Sequence, residues 1–156
     1  MLTLSIEEKL AELGIDIPEV PTPVAAYVPA IQIGDLIYTS GQIPFVKGEL
    51  KYKGKVGVDL SVEEAYEAAK ACAINCIAAV KSIIEDLDEI EQIVKVTGYV
   101  NCSPDFAMQP QVVNGASEIL GQLFEEAGKH ARAAVGVSSL PLNAAVEVDM
   151  IVKIKV

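Results

Sequence analysis

Helices laid on one face of a mixed sheet, an α+β layer, is the architecture expected of this chain of 156 residues. Three observations point to it. Two long stretches repeat apolar residues with a period of about 3.6, as amphipathic helices do. Several shorter segments alternate apolar and polar residues, as half-buried strands do. The two kinds interleave in the order helix, β-β-(β)-α-β-α-β-β.

Ser5-Ile6-Glu7-Glu8 is a capping box, so a short helix opens there and ends near Gly14. Ile15 to Pro23 is rich in proline and reads as an extended connector. Ala25–Ile33 and Leu36–Gly41 read as strands turned about Gly34-Asp35, a hairpin. Gln42 to Val58 holds Pro44, three glycines and four lysines, and is expected to form a short strand and a loop. Ser61-Val62-Glu63-Glu64 is a second capping box. Behind it Ala65, Tyr66, Ala69, Cys72, Ala73, Cys76, Ile77, Val80, Ile83, Ile84 and Leu87 keep a helical period over about six turns.

Gln92 to Cys102 alternates, with Val94, Val96, Val100 and Cys102 assigned to one side and Lys95, Thr97, Tyr99 and Asn101 to the other. Asp105 to Ala127 is expected to be the second long helix. Pro110 falls in its first turns, where proline is tolerated, and Gly128 serves as its C-cap. Val112, Ala116, Ile119, Leu120, Leu123 and Ala127 form its inner stripe. Ala133–Ser138 and Ala144–Val156 close the chain as a second strand pair. The helices cover one face of the sheet. The other face needs cover of its own, which a trimeric, barrel-like association would supply.

The length implies one domain over 1–156. Residues 1–23 make the N-terminal helix and connector, and residues 24–156 the main body. Twelve basic against 22 acidic residues give a formal charge of −10, which disfavours nucleic acid as a partner. The one basic strip, Lys47, Lys51, Lys53 and Lys55, reads as a solvated hairpin. No apolar run reaches the roughly 18 residues that span a bilayer, so no membrane partner is expected. The first residues lack a secretory pattern, and a cytoplasmic location is the corresponding expectation. Cys72 and Cys76 share the apolar face of one helix and read as buried small hydrophobes. One histidine and no CxxC leave no zinc-ligand spacing, so neither metal nor organic cofactor is expected.

Arg132 is the single arginine; the other eleven basic residues are lysines. It lies in a run of small, uncharged residues, Ala131-Arg132-Ala133-Ala134-Val135-Gly136. A guanidinium stays charged at any accessible pH and fits a carboxylate with two hydrogen bonds. Two readings stand: an anchor for a small carboxylate ligand, or a structural ion pair.

Three segments then stand together: Thr39-Ser40-Gly41-Gln42-Ile43-Pro44, Asn114-Gly115-Ala116-Ser117-Glu118, and Arg132 through Leu140-Pro141 to Val146-Glu147-Val148. In combination they resemble the Rid family, also called the YjgF family, of reactive-intermediate deaminases. The resemblance covers about Val24 to Val156. It implies a chorismate-mutase-like β-β-α-β-α-β layer, a homotrimer, and ligand clefts between subunits. It also implies hydrolysis of enamines and imines, such as 2-aminoacrylate, to 2-oxo acids and ammonia. Arg132 falls on the carboxylate-binding arginine and Glu147 on the water-contacting glutamate. Tyr27, Ser40, Gly41 and Asn114 fall on substrate-lining positions. Ala134 stands where many close members carry cysteine, a position that acts largely through its backbone carbonyl. The longer segment before Arg132 and the added N-terminal helix place the chain on a longer, less characterised branch.

Taken without the resemblance, Glu147 is a solvated strand residue, Tyr27 a half-buried strand aromatic and Asn114 an early-helix polar residue. Ser40 and Gly41 are then turn residues, and His130 a helix-end or loop residue. A non-catalytic trimer that binds a small carboxylate in the same cleft is the alternative function.

Overall fold

The computed structural model describes residues 3–20 and 26–156. The expected Ala25 and most of the connector's end lie outside the described residues. Helix α1 spans Ile6–Glu12, with both hydrogen bonds of its capping box formed at Ser5. It buries Ile6 and Leu10. Strands β1 (Ala30–Ile33) and β2 (Leu36–Thr39) form the expected hairpin, with Gly34 at φ +62° in the turn. β1 starts later than its apolar run suggested. Pro29 has no N–H to give to a ladder, so Tyr27 and Val28 precede the strand. Phe45–Val46 (β3) and Glu49–Leu50 (β4) make a small separate hairpin.

Helix α2 runs from Val62 to Ile84 behind the Ser61 capping box. Its buried face holds Cys72 and Cys76 among alanines, as expected, and burial pushes both thiols up, Cys76 to about 12. Strand β5 is Ile90–Asn101. Its pairing slips around Val94, and the slip moves the inward phase. Ile93 is buried and Val94 is not, whereas Val96 and Val100 keep the expected side. Asn101, expected on the polar side, is fully buried. Its Oδ1 accepts from Lys55, and its amide donates to Asn143 Oδ1 and the Ala144 carbonyl.

Helix α3 is Gln109–Phe124, four residues shorter at its start than expected, and a 3-10 turn follows over Glu125–Gly128. Pro110 sits in its first turn, where a missing N–H costs nothing. The predicted inner stripe is buried from Val112 to Leu123. Strands β6 (Ala131–Val137) and β7 (Val146–Ile154) complete the chain.

One mixed sheet has the order β1-β2-β7-β5-β6. β6 and β7 are therefore not neighbours, contrary to the pairing expected from their sequence order. β7 lies between β2 and β5, and β6 pairs in parallel with β5 at one edge. The helix α3 crossover permits this, since parallel neighbours need a long connection. β7 alternates strictly: Val146, Val148, Met150, Val152 and Ile154 are buried beneath the helices. Its other side carries Glu147, Asp149, Ile151 and Lys153 on a sheet face that the chain leaves uncovered. Ile33, on the same uncovered face, is 61% exposed. No helix among the described residues is long and apolar enough to cross a membrane.

Two glycines set how closely α3 sits. A Cβ on Gly115 would lie 1.9 Å from the Tyr66 carbonyl oxygen of α2, and one on Gly98 would lie 2.4 Å from Val113 Cγ2. The first contact is with backbone and has no way to yield. Gly115→Ala should therefore lower unfolding stability by about 3 kcal/mol, read from urea denaturation. Gly121→Ala, which meets nothing within 4 Å, should not.

Candidate active site

Arg132 is the second residue of edge strand β6, in register with buried Val96 of β5. Residues paired across a ladder share a face, so its side chain lies on the helix side of the sheet. There Nη1 donates to Asn114 Oδ1 at 2.8 Å and to Ser117 Oγ at 3.2 Å. Asn114 and Ser117 are three apart on α3 and so share one helix face. Ser117 is in turn 2.9 Å from His130 Nε2, and His130 Nδ1 is 2.6 Å from the Gly128 carbonyl. A carbonyl only accepts, which assigns the proton to Nδ1 and leaves Nε2 to accept the Ser117 hydroxyl. Among the described residues no carboxylate lies within 4.0 Å of Arg132. The structural ion pair, one of the two readings open from sequence, is not what is found there.

Glu147 occupies the other side. It pairs with Tyr99 of β5, three residues from Val96 and hence on the opposite face. Burial pushes its carboxyl above the usual range, and repulsion from Asp149 adds to this. Asp149 is also raised, again mainly by burial, although Tyr99 Oη donates to it at 3.0 Å. Gly41 stands directly against Glu147: a Cβ there would come within 2.6 Å of Oε2. The close approach is held by a two-way backbone bridge between Gln42 and Val148.

Ser40 donates its hydroxyl to the Val28 carbonyl at 2.5 Å, and its amide to that of Pro29. These bonds bring the residue after Tyr27 beside the Ser40-Gly41 turn. Tyr27 itself is 65% exposed, so it is not the half-buried strand aromatic of the bare reading. Ala134 lies on the helix side of β6, in register with Gly98.

One chain thus makes two half-sites. Arg132, Asn114 and Ala134 stand on the helix side of the sheet, and Glu147 and Gly41 on the other, with Ser40 and Tyr27 alongside. The halves do not meet within the chain. Ser117, Tyr99 and Asp149 had no assigned role in the sequence. The three-residue spacing of Asn114 and Ser117 was the one available signal. Among the described residues no group of three His, Cys, Asp or Glu side chains is placed to hold a metal ion.

Residues 7–154 match the family described as "YjgF/chorismate_mutase-like, putative endoribonuclease". The chain belongs to the YjgF family. Protein TCP17 of Trypanosoma cruzi is 39% identical over 150 residues, covering 96% of this chain and 94% of that protein. A 2-iminobutanoate/2-iminopropanoate deaminase of Dermatophagoides farinae is 29% identical, covering 90% of this chain and 95% of its own. The crystal structure of Atu1372 from Agrobacterium tumefaciens, described as a protein of unknown function, is 44% identical. It superposes with a TM-score of 0.91 over 97% of this chain and 94% of that one.

The raised carboxyl of Glu147 has a stability consequence. A folded-state pKa above the unfolded value means the folded chain holds the proton more tightly, so the group's contribution declines as pH rises through that window. Glu147→Gln should therefore melt higher than wild type at neutral pH. The gap should close as pH falls toward the ordinary glutamate value of 4.5. Thermal melts from acid to neutral pH read this directly.

Proposed function

We propose that this YjgF-family chain hydrolyses 2-imino acids, including those formed from enamines such as 2-aminoacrylate, to 2-oxo acids and ammonia. The cleft is shared by neighbouring copies of a homotrimer. The observation that supports this most is a guanidinium aimed by two neutral acceptors and matched by no carboxylate of the described chain, in a protein of formal charge −10. Asn114 and Ser117 hold Nη1 and leave the remaining donors of the fork for a ligand carboxylate. The deaminase name of the mite relative agrees with this chemistry.

An imine carbon is electrophilic already, so the protein's task is placement. Arg132 holds the substrate carboxylate. Glu147, from a second copy, accepts a hydrogen bond from water aimed at the imine carbon, and burial suits its carboxyl to take the proton. Water oxygen bonds to that carbon and its proton passes through Glu147 to nitrogen. The hydroxyl proton of the resulting carbinolamine then reaches the amine by the same route as the carbon–nitrogen bond breaks, so ammonia leaves and the carbonyl of the 2-oxo acid forms. The Ala134 carbonyl and the Gly41 backbone complete the lining, with Ser40, Tyr27 and Asn114 at its margin.

The placement of the two residues supports a shared cleft. Arg132 and Glu147 on opposite faces of one sheet cannot touch the same small molecule, whereas an edge strand of one copy laid against the open face of another unites them. Exposed Ile31, Ile33 and Tyr38 on that open face favour such an association. The endoribonuclease wording of the family description fits less well, since a chain of this charge repels a phosphate backbone.

Release of pyruvate from enzymatically generated 2-aminoacrylate tests the reaction. Arg132→Ala should lower kcat/KM about 100-fold, the loss expected for some 2.7 kcal/mol of charge-assisted binding. Arg132→Lys should recover part of it. Equal rates for wild type and Arg132→Ala would refute the assignment. Ligand-induced stabilisation that Arg132→Ala abolishes, with no turnover of any imino acid, would favour the non-catalytic alternative.

Light scattering should give three times the 16.6 kDa chain mass. Ile33→Asp should lower that mass and the turnover together while leaving both half-sites chemically intact.

A further inference from the structure

Four lysines of the 47–55 strip look alike in sequence, but Lys55 has a different setting. Its ammonium donates to Asn101 Oδ1 at 3.1 Å and to the Ser138 carbonyl at 2.5 Å. Both partners are uncharged. Among the described residues no carboxylate lies within 4.0 Å of its Nζ, although the chain has 22 acidic residues. An ammonium has three donors, so one remains.

Lys55 lines a cleft of about 510 Å³ at the end of the sheet. Cys102, Phe106, Gln109, Gly136 and Ser138 also line it, and no acidic side chain does. The nearby carboxylate of Asp105 is engaged by the Ser103 hydroxyl at 2.7 Å. Gln109 donates its amide to the Phe106 carbonyl at 2.9 Å, which sets the wall. Gly136 leaves the floor open, for a Cβ there would lie 2.8 Å from Gln109 Nε2 and 2.9 Å from Cys102 Sγ.

We propose that this cleft binds a small organic monocarboxylate with a flat apolar body, its carboxylate on Lys55 and its body against Phe106 and Val137. The volume falls in the range of small-molecule sites and exceeds what a bare ion needs. One ammonium with no second cation matches a single negative charge better than a phosphate. The site is separate from Arg132. Arg132 and Gly136 lie on the same side of β6 four residues apart, about 13 Å at strand rise, beyond the reach of one small imino acid. The proposal stands whether or not the deaminase reading does.

Calorimetric titration of the full-length protein with benzoate and with benzamide tests it. Benzoate should bind at least about tenfold more tightly than benzamide, as expected for a charge-assisted contact. The preference should survive in Arg132→Ala, which removes the other carboxylate site, and in that background it should persist when Lys55→Arg is added and vanish when Lys55→Gln is added. Benzoate should also slow alkylation of Cys102 by iodoacetamide; Cys72 and Cys76 have no exposed surface and serve as internal controls. Gly136→Val, which fills the floor, should block benzoate without touching Lys55, and it decides the matter if Lys55→Gln fails to fold. Equal binding of the two probes in Arg132→Ala, no binding of benzoate there, or a preference that survives the addition of Lys55→Gln or Gly136→Val to Arg132→Ala would each overturn the proposal.

Discussion

Arg132 is held from one side by Asn114 and Ser117, two neutral acceptors on one face of α3, and the rest of the site depends on that grip. A flexible arginine loses rotamer freedom when a ligand fixes it. Here the folded chain has already fixed it, so the proposed binding of a carboxylate would incur less of that cost. The His130–Ser117 contact extends the support one step further, to the Gly128 carbonyl at the end of the 3-10 turn. The guanidinium is thus tied to both the helix and the turn that leads into its own strand.

The grip in turn depends on how near α3 comes to the sheet. Val113, Asn114 and Gly115 are consecutive, and they face three different neighbours. Val113 packs on Gly98 of β5, Asn114 reaches Arg132 of β6, and Gly115 lets the helix touch the backbone of α2 at Tyr66. Side chains at positions 98 and 115 would push α3 outward and take Asn114 away from the guanidinium. Close packing between layers therefore sets a polar contact at the sheet edge.

On the opposite face the chemistry is less relaxed. Glu147 and Asp149 project from β7 toward the same uncovered surface, and burial raises both carboxyls. Such a pair is a liability for an isolated chain. It becomes useful where a carboxylate more basic than usual is wanted. A cation or a water brought in by a neighbouring copy, as in the proposed trimer, would relieve the repulsion.

Much of this was legible in the chain itself. Both capping boxes, the buried face of α2, the inner stripe of α3 and the alternation of β7 follow from periodicity and short-range hydrogen bonding, which need no distant partner. The spacing of Arg132, Glu147, Ser40 and Asn114 carried the family likeness. Other features were out of reach of any local pattern. The inward phase of β5 shifts at Val94 because of a slip against β7, and Asn101 is buried because Lys55, Asn143 and Ala144 converge on it from elsewhere. That β7 enters the middle of the sheet, that Arg132 and Glu147 face opposite ways, and that Lys55 meets a cleft all depend on strand order and register. Those are set by contacts between residues far apart in the chain, and only the folded tertiary arrangement decides them.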